Sequence, residues 1–518
     1  MIRSELIAPV SELLERQAKR CPDKVAYRDA ARSVTFGELE RDTRHLATWL
    51  CKLSGGARPV VAVWLPNSVD WIVTTLAAVR AGGMAVPVSY DCMVNEAAYR
   101  IEDAQCTFVV TRAERSGMLD EIDKAGEVKR ILVDPPAGVG DSADPSDFVA
   151  LCAQPAEGVE LPVEDIDEAS YIIYTSGTTG LPKGVLISTR AILWTTAACW
   201  WPTLGINEND RLLSPLPLFH SYALTLSVLA VLATGAEVYL MERFSTKGAI
   251  EMLKSGDFTL MPGVPTMFHY LMQAAADEEE TLFGSMRYCI SAGAILPGTL
   301  NRDFEKRFGV QLLDGYGITE MSTMVTMNWP GAARIPGSCG PPLLGLALRV
   351  IDPATGKDVP FGEEGELICR GPNLMIGYNR MPEKTNEVLR DGWYYSGDLA
   401  RSDKNGFITI TGRVKEIIIR GGQNIAPAEV EEIVTELDEV LDCAIVGISH
   451  ESLGEVPVAF IVPKPGKPVE EEAVRSHCAA HLSAYKVPAK IELVEEIPRT
   501  GSGKIMRFKL RERLEGKA

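Results

Sequence analysis

The chain of 518 residues is longer than one compact domain, and at roughly 100–200 residues per domain it predicts two to four of them. Apolar residues make up 46% and charged residues 24%, which excludes a disordered, fibrous or collagen-like chain. The 52 Lys and Arg against 70 Asp and Glu give a net charge of −18. Because such a surface repels phosphate backbones, the composition also argues against a nucleic-acid partner.

Cysteine usage and hydropathy bear on the cell compartment. The 11 cysteines contain no CxxC pair, which favours a reducing cytoplasm over a disulfide scaffold or a zinc module. The start, Met1–Leu6, lacks the apolar core of a signal peptide. Leu212–Ala236 carries no Asp, Glu, Lys or Arg, but only Tyr222–Thr234, about 13 residues, predicts an unbroken helix, against the ~20 needed to span a bilayer. We therefore expect a buried core helix and no membrane span.

Short apolar runs alternate with helical patterns along most of the chain, which is typical of α/β layering with parallel strands. A helix is predicted over Val69–Arg80, and Asp134–Glu164, rich in Pro, Gly and acids, predicts a surface excursion. The strands predicted around them are Val60–Trp64, Ala85–Val88, Phe108–Val110, Arg130–Val133 and Ser170–Tyr174.

After Trp329 the rhythm changes to hairpin-like strands with Gly- and Asp-rich turns, and a last α/β unit begins near Ile417. The hairpin strands are Leu348–Ile351, Gly365–Arg370 and Gly406–Thr411. The last unit is predicted to contain helices Pro427–Glu436 and Glu470–Leu482 with strands Val440–Ile448, Val456–Pro463 and Lys490–Leu493.

The sharpest local signal is Tyr174–Gly184, which reads YTSGTTGLPKG. Three glycines let the backbone turn and expose N–H groups, while four Ser/Thr hydroxyls and Lys183 add donors, so the natural ligand is a polyphosphate. It is not a Walker loop, because Gly184 follows the lysine. The Gly-Ser-Gly-Lys at Gly501–Lys504 also departs from that motif, because Ile505 stands where Ser or Thr is required.

Five segments in this order resemble the adenylate-forming superfamily, which includes acyl-CoA synthetases, non-ribosomal peptide adenylation domains and firefly luciferase. They are the phosphate loop at Tyr174–Gly184, a nucleotide segment at Asp314–Glu320, a ribose segment at Gly392–Leu399, a hinge and thiol-tunnel segment at Gly412–Val430, and a C-terminal lysine loop at Pro498–Arg507.

The resemblance implies an α/β fold with two domains. Residues 1–414 would form a large N-terminal domain of layered sheets with helices, including a small β-barrel-like subdomain at about 330–411. Residues 415–518 would form a small mobile α+β C-terminal domain, with its hinge at Lys415.

The implied chemistry is the attack of a carboxylate on the α-phosphorus of ATP while pyrophosphate leaves. Phosphate charge must be neutralised and the reacting groups held in line. The cradle for the β- and γ-phosphates would be formed by Thr175, Ser176, Gly177, Thr178, Thr179 and Lys183.

Further roles follow from the same resemblance. Thr319 would donate to the α-phosphate, Glu320 would help to hold Mg²⁺, and Lys504 would bridge the carboxylate and α-phosphate oxygens. The adenosine would be bound by Asp314, Gly315 and Tyr316 around the adenine and by Asp398 and Arg413 at the ribose.

In the second step the acyl group passes to coenzyme A or to the pantetheine of a carrier protein. In the resembled family the C-terminal domain rotates about the position of Lys415 between the two steps. Gly421 and Gly422 would leave room for the pantetheine arm, although a tight turn between two strands is the alternative explanation for both. Some CoA ligases have a lysine where this chain has Gly421.

The segment from Pro217 to Leu224 resembles the gate of aryl- and fatty-acyl-CoA ligases, with His220 at the mouth of the acyl pocket and Tyr222 in its wall. Amino-acid-activating relatives have an aspartate at the position of His220, so an ammonium would stay unpaired here at a cost of several kcal/mol. The floor would be formed by Ala292, Gly293 and Ala294. Trp200 and Trp201 are equally compatible with a pocket wall and with core or surface packing.

The leading hypothesis is an AMP-forming ligase that joins a non-amino, largely apolar carboxylic acid to coenzyme A. A stand-alone enzyme that loads a carrier protein is the alternative. A luciferase-like oxygenase and a non-catalytic nucleotide binder are remoter ones, and the second would be expected to lack at least one of Lys183, Glu320, Asp398 and Lys504, all of which are present. The expected ligands are ATP, Mg²⁺ and CoA, in a cytoplasmic monomer or homodimer.

Overall fold

The computed structural model describes residues 2–122, 126–134, 146–175, 182–275, 280–421, 423–450, 452–500, 503–514 and 516. The strands within these ranges are β1 Val25–Arg28, β2 Ser33–Thr35, β3 Val60–Trp64, β4 Met84–Pro87, β5 Phe108–Thr111, β6 Lys129–Leu132, β7 Ala169–Thr175, β8 Lys183–Ser188, β9 Arg211–Ser214, β10 Glu237–Leu240, β11 Leu260–Gly263, β12 Tyr288–Ser291, β13 Gln311–Ile318, β14 Thr323–Met327, β15 Ala347–Ile351, β16 Glu364–Arg370, β17 Gly377–Tyr378, β18 Leu389–Arg390, β19 Trp393–Ser402, β20 Ile408–Arg413, β21 Ile418–Arg420, β22 Gln423–Ile425, β23 Val440–His450, β24 Gly454–Pro463 and β25 Lys490–Leu493.

The α-helices of the same ranges are α1 Val10–Arg20, α2 Phe36–Leu53, α3 Val69–Arg80, α4 Val94–Asp103, α5 Ser116–Ile122, α6 Phe148–Ala153, α7 Thr189–Thr195, α8 Ser221–Ala223, α9 Val231–Thr234, α10 Thr246–Ser255, α11 Pro265–Ala274, α12 Gly298–Phe308, α13 Pro382–Val388, α14 Pro427–Thr435, α15 Glu471–His481 and α16 Arg507–Leu514.

Two largely parallel sheets form the bulk of the molecule. The first has eight strands in the order β14-β13-β12-β11-β9-β10-β1-β2, with antiparallel pairs only at its two ends. The second has seven strands in the order β17-β8-β7-β4-β3-β5-β6, in which β7, β8 and β17 pair antiparallel. Side chains of both sheets belong to one hydrophobic core. Layered parallel sheets confirm the predicted α/β class.

Helix α3 shows how this core is filled. Its predicted range, Val69–Arg80, is reproduced without a shift, and every residue except Asp70 is buried. Ser68 caps the helix by accepting the Trp71 N–H through its side chain, which satisfies one of the free N–H groups at a helix start. A helix that is apolar all round belongs between two sheets rather than at the surface.

The strands predicted after Trp329 and the helices and strands predicted after Ile417 are also confirmed. Strands β15, β16, β19, β18 and β20 form a five-stranded antiparallel sheet. The last sheet, in the order β22-β21-β24-β23 with β25 on β24, is covered by α14 and α15 on one side and by α16 on the other. Its buried clusters draw only on residues from Ile418 onward, so this unit has a core of its own.

The predicted surface excursion over Asp134–Glu164 is wrong in part. Residues 135–145 lie outside the described part of the chain, but α6 forms just after them and packs against α2. Phe148, Leu151 and Cys152 are buried, and the Trp49 indole donates to the Gln154 carbonyl at 2.8 Å. Acidic and Pro-rich flanks therefore hide a short apolar segment that belongs to the core.

The predicted helix at Tyr222–Thr234 is buried as expected but is not a plain α-helix. It starts one residue earlier, in α8, and the middle, Leu224–Ala230, is π-helical before α9 completes it. A preceding π-helical segment covers Thr196–Trp200. π-Helical turns often occur at functional sites. Within the described ranges, no helix is both long and apolar enough to cross a membrane.

Candidate active site

The predicted nucleotide residues lie at one edge of the eight-stranded sheet. β13 carries Asp314, Gly315 and Tyr316, and the turn that follows, Thr319–Met321, carries Thr319 and Glu320. The neighbouring parallel strand β12 ends at Ser291, whose Cα pairs with that of Asp314. Because the carboxyl ends of parallel strands meet at the same edge, the loop with Ala292 lies beside the nucleotide segment.

The two predicted ribose residues form an ion pair between a buried carboxylate and a half-buried arginine. Asp398 and Arg413 face each other across β19 and β20, and Arg413 Nε lies 2.9 Å from Asp398 Oδ1. The charge of Asp398 raises the pKa of Arg413. The Tyr316 hydroxyl donates to Asp398 Oδ2, so the adenine and ribose residues already meet in the structure. Asp398 is 3% exposed, and its fixed oxygens are suited to accept the hydroxyl groups of a ribose.

Asp314 has the properties of an adenine acceptor. Its side chain is buried and its Oδ1 has no hydrogen-bond partner in the part of the chain that the structure describes. Burial raises the pKa of this carboxyl well above its usual range. An unpaired buried acceptor costs about 1–3 kcal/mol, and the exocyclic amino group of adenine is a donor that would satisfy it. Gly315 is required for lack of space, because a Cβ at this position would lie 2.4 Å from Met324 Cε on β14.

The turn that carries Thr319 and Glu320 is followed by two residues with positive φ. Ser322 has a φ of +47° and Thr323 one of +93°, and the second value is strained for a β-branched residue. Asn373 Nδ2 braces the segment by donating to the Met321 carbonyl at 2.7 Å and to the Met324 carbonyl at 3.0 Å. The neighbouring structure therefore fixes the direction of Glu320.

Part of the phosphate loop lies outside the described residues, namely Ser176, Gly177, Thr178 and Thr179. Its two ends are well placed: Thr175 and Lys183 pair with each other at the open end of β7 and β8. Lys183 Nζ lies 4.7 Å from the centre of the Tyr378 ring, and the Tyr378 hydroxyl donates to Glu320 Oε1 at 2.9 Å. The loop lysine and the predicted metal ligand are thus linked through one aromatic side chain.

Lys504 enters the same cleft from the C-terminal unit. Residues 501–502 are outside the described part of the chain, but a Cβ on the adjoining Gly503 would lie 3.4 Å from Val264 Cγ2 at the start of α11. Crowding by protein atoms and the charge of Arg413 lower the pKa of Lys504, although solvent still reaches its side chain. Its charge also interacts with Asp398 and Glu320. The lysine therefore faces the nucleotide residues across the boundary between the two units.

The predicted acyl gate adjoins this lysine. Burial and the positive charge of Lys504 lower the pKa of His220 to about 3, so the imidazole is neutral at physiological pH. Its Nε2 is buried and without a partner among the described residues. The hydroxyl oxygens of Ser221 and Thr319 are 3.4 Å apart, which connects the gate to the predicted α-phosphate site.

The other residues of the predicted acyl pocket differ in the solvent exposure of their side chains. Tyr222 donates to the Ile290 carbonyl at 3.1 Å and stacks on the buried Trp200, with ring centres 6.2 Å apart. Ala292 is buried and Ala294 half-buried, whereas Gly293 is exposed with a φ of +87°. A larger side chain at Gly293 would therefore strain the backbone, so Ala294 is the better position for filling the predicted pocket.

The predicted hinge residue Lys415 and the predicted tunnel residue Gly421 are both exposed. Lys415 is exposed in a single 3₁₀ turn, Val414–Glu416, between β20 and β21. Gly421 has a φ of +58° at the turn between β21 and β22, and its N–H donates to the Leu453 carbonyl at 2.7 Å. A left-handed turn position explains a glycine there without a ligand. Gly422 lies outside the described residues.

Comparison with known proteins identifies the family. A profile described as AMP-binding enzyme matches residues 14–379, and one described as AMP-binding enzyme C-terminal domain matches residues 429–504. The chain belongs to the AMP-binding enzyme family.

The relatives of this chain include acyl-CoA ligases, and the similarity extends over nearly the whole length of both proteins. A feruloyl-CoA synthase of Amycolatopsis sp is 33% identical over 96% of this chain and 97% of its own. A sulfoacetate–CoA ligase of Cupriavidus necator is 33% identical over 98% of both chains. The AMP-binding enzyme described here is accordingly an AMP-forming acid–thiol ligase, which activates an acid with ATP as an acyl-adenylate and transfers the acyl group to CoA.

Solved structures share the fold of the whole chain. ATP-bound MatB from Rhodopseudomonas palustris is 29% identical and matches with a TM-score of 0.88 over 98% of this chain and 99% of its own. Apo MatB from the same organism is 28% identical and reaches 0.77 over 98% and 99%. The chain therefore superimposes more closely on the ATP-bound form than on the apo form of that protein.

Sequence reasoning missed several residues that shape this site. Tyr378 and Tyr394 lie beside Glu320, and Asn373 braces its turn. Arg499 donates to the Gly503 carbonyl at 2.9 Å and forms a bidentate pair with Asp442 at 2.8 and 2.9 Å, which anchors the lysine loop. Arg499 lies within the recognised loop motif, but its partner is distant in sequence.

His220 gives a pH prediction for stability. Its folded-state pKa of about 3 lies below the usual value of ~6.5, so between these values the unfolded chain binds the extra proton and acid favours unfolding. A neutral His220→Gln variant should therefore lose less stability than the parent when the pH falls from about 7 to about 4.5. Urea denaturation of both proteins at the two pH values measures this. Equal losses would show that His220 is not held neutral.

Proposed function

We propose that the acid is a non-amino, largely apolar carboxylic acid with a bulky ring or a medium-length chain. The observation that carries the proposal is the half-buried imidazole of His220 at the mouth of the proposed acyl pocket, whose Nε2 is buried and whose pKa is lowered to about 3, so that it is neutral at physiological pH. It offers no negative charge to an ammonium, and an unpaired buried charge costs several kcal/mol. Asp314 interacts with Tyr222, and burial raises the pKa of the Asp314 carboxyl well above its usual range, which disfavours a negative charge there as well.

The pocket favours apolar binding for a second reason. The rings of the buried Trp200 and of Tyr222 stack on each other, and the small side chains of Ala292 and Ala294 would leave volume for a bulky acyl group. Affinity would come from buried apolar area at ~25 cal/mol per Å². The name of the feruloyl-CoA synthase relative fits an aromatic acid, whereas that of the sulfoacetate–CoA ligase relative denotes a small polar acid, so both classes belong in the test.

The residue roles are part of the proposal. Lys183 and Thr175, with the loop residues 176–179, would bind the β- and γ-phosphates, Thr319 the α-phosphate, and Asp398 with Arg413 the ribose. Lys504 would neutralise the charge that builds up between the acid carboxylate and the α-phosphate. Residues 1–414 would act as the nucleotide- and acid-binding domain, and residues 415–518 as the mobile domain with its hinge at Lys415.

Magnesium fits the donor set around Glu320. Within the described ranges no cluster of three or more His, Cys, Asp or Glu could hold a metal ion, and a single carboxylate with phosphate oxygens and waters is the usual Mg²⁺ environment in nucleotide enzymes. Glu320 would supply that carboxylate. The ion would offset phosphate charge and orient the pyrophosphate leaving group.

The proposed steps balance without further reactants. A carboxylate oxygen of the acid attacks the α-phosphorus, and the bond to the pyrophosphate oxygen breaks. After the C-terminal domain has rotated, the CoA sulfur attacks the acyl carbon, the thiol proton leaves to solvent, and AMP departs with the oxygen that came from the acid. CoA is the expected acceptor; transfer to a carrier-protein pantetheine, passing Gly421 and Gly422, is the alternative.

The compartment and assembly complete the proposal. The free cysteines Cys21, Cys51 and Cys92 are half-buried and the other eight are buried, which supports a cytoplasmic protein. A monomer or homodimer is proposed.

A panel of acids tests the substrate proposal. Acid-dependent pyrophosphate release should be fastest with bulky or medium-length apolar acids and slow with α-amino acids, acetate and sulfoacetate. CoA and a phosphopantetheinylated carrier protein are compared as acceptors, and CoA should give the higher turnover. Best turnover with an α-amino acid, acetate or sulfoacetate would refute the proposed acid, and exclusive use of the carrier protein would replace the acceptor.

Filling the pocket floor gives a matched mutational prediction. Ala294→Leu should lower kcat/KM for the best bulky acid by about tenfold or more and leave acetate or propionate nearly unchanged, because added side-chain atoms compete only with large acyl groups. Val163→Leu, at an exposed position, is the control. Equal losses for large and small acids would remove Ala294 from the pocket.

A further inference from the structure

One tyrosine joins the two charged groups that face the triphosphate. Tyr378 is 5% exposed; its ring lies under Lys183 Nζ at 4.7 Å, and its hydroxyl donates to Glu320 Oε1 at 2.9 Å. We infer that Tyr378 is a positioning residue that aligns the phosphate-loop lysine through its ring and the metal-binding carboxylate through its hydroxyl. The inference rests on the proposed roles of Lys183 and Glu320.

The backbone around Tyr378 is fixed to the strand that begins at Lys183. Tyr378 pairs with Val185 across β17 and β8, and the Asn379 N–H donates to the Gly184 carbonyl at 2.7 Å. The Tyr378 N–H itself donates to Thr385 Oγ1 at 2.9 Å. The ring therefore keeps its place relative to the start of β8, where Lys183 lies. A cation over an aromatic face at this distance is attracted by the ring.

The Tyr378 hydroxyl and the Glu320 residue that accepts from it are also held in place by their neighbours. Tyr394, which is also buried, interacts with both Tyr378 and Glu320, and the Met375 N–H donates to the Glu320 carbonyl at 2.8 Å. With Oε1 of Glu320 held by the Tyr378 hydroxyl at 2.9 Å, the second carboxylate oxygen is oriented for an ion beside the phosphates. A hydrogen bond to a charged group is stronger than one between neutral groups.

Ring and hydroxyl can be separated by substitution. Tyr378→Phe keeps the volume and the ring under Lys183 but removes the donor to Glu320, whereas Tyr378→Leu removes both. Tyr395→Phe is the control, because Tyr395 lies on the same strand as Tyr394 with its ring against Arg390, 4.5 Å from the guanidinium carbon. Tyr394→Phe removes a second hydroxyl close to Glu320 and leaves the Tyr378 donor in place.

The test is calorimetric ATP binding in EDTA and in excess Mg²⁺, without any acid. Tyr378→Phe should bind ATP like the parent in EDTA and lose about tenfold of the affinity measured with Mg²⁺. Tyr378→Leu should be weaker by about two- to tenfold in EDTA as well, and Tyr394→Phe should show a smaller Mg²⁺-specific loss. The Mg²⁺ concentration that gives half of the Mg²⁺-dependent gain in ATP affinity should rise about tenfold in Tyr378→Phe.

An equal loss with and without Mg²⁺ in Tyr378→Phe, or no loss in either condition, would overturn the inference and reduce Tyr378 to core packing. Thermal melting checks that each variant is folded. If Tyr378→Phe does not fold, the ATP-binding result of Tyr394→Phe decides. In that variant, a loss of affinity that is independent of Mg²⁺, or no loss at all, overturns the inference. Because no acid is present, a failed acid panel leaves this binding result intact and is distinguishable from it.

Discussion

Replacing Lys504 with alanine should lower the rate of acid-dependent pyrophosphate exchange by about 10²–10³-fold, because a charge-assisted contact made in the transition state is worth about 2.7–4 kcal/mol. Lys504 interacts with His220, Asp398 and Glu320, between the gate and the nucleotide residues. Thioester formation from a supplied acyl-adenylate and CoA should stay close to that of the parent, since the lysine acts before the C-terminal unit rotates.

The two half-reactions are measured separately on the same preparation. Lys509→Ala is the matched control, because Lys509 is exposed on α16, close to Lys504 in the chain. It should leave both rates unchanged. An equal loss of both half-reactions in Lys504→Ala would mean that the lysine serves both steps or supports the fold, and the division of labour would be wrong.

Replacing Lys415 with proline should impair thioester synthesis and largely spare pyrophosphate exchange, which is the opposite of the result expected for Lys504→Ala. Proline fixes φ near about −65°, so a hinge that must change its backbone angles is blocked. Lys415 is the second residue of the Val414–Glu416 turn, and proline also disfavours a helical conformation of the residue before it. We therefore expect pyrophosphate exchange to fall by no more than about tenfold and overall thioester synthesis to fall by about 10²-fold or more.

Lys415→Ala separates the side chain from the backbone in this experiment. It removes the lysine but keeps the backbone free, so both rates should stay within a few-fold of the parent. The quantity to compare is the ratio of overall turnover to exchange. An unchanged ratio in Lys415→Pro would place the hinge elsewhere.

Local sequence patterns predicted the regular elements well where one pattern dominates. Helix α3 and strand β25 have the predicted limits, and in the helix the capping Ser68 and the nearby Gly82 mark the two ends of the helical pattern. The fold class and the order of the site segments followed from recognisable motifs, since glycines, hydroxyls and charges at fixed spacing carry their chemistry with them.

The failures share a physical cause, because each depends on contacts distant in sequence. The π-helical turn at Leu224–Ala230 has the same apolar pattern as an α-helix. Helix α6 is only six residues long, and its burial depends on α2.

Tyr378 is the clearest example among the site residues. It sits in a two-residue strand, and nothing in the adjoining sequence points to Glu320 or Lys183. Its position follows from the pairing of β17 with β8, which brings together residues almost 200 positions apart. A signal of this kind becomes visible only when the sheet order is known.

The fate of the acid's oxygen tests the central claim most directly. An acid labelled with ¹⁸O in both carboxyl oxygens is turned over with ATP and CoA, and the nucleotide and phosphate products are analysed by mass spectrometry. Attack of the carboxylate on the α-phosphorus predicts one ¹⁸O in AMP and none in pyrophosphate. Label in orthophosphate together with ADP formation would contradict an acyl-adenylate and would point to an acyl-phosphate route instead.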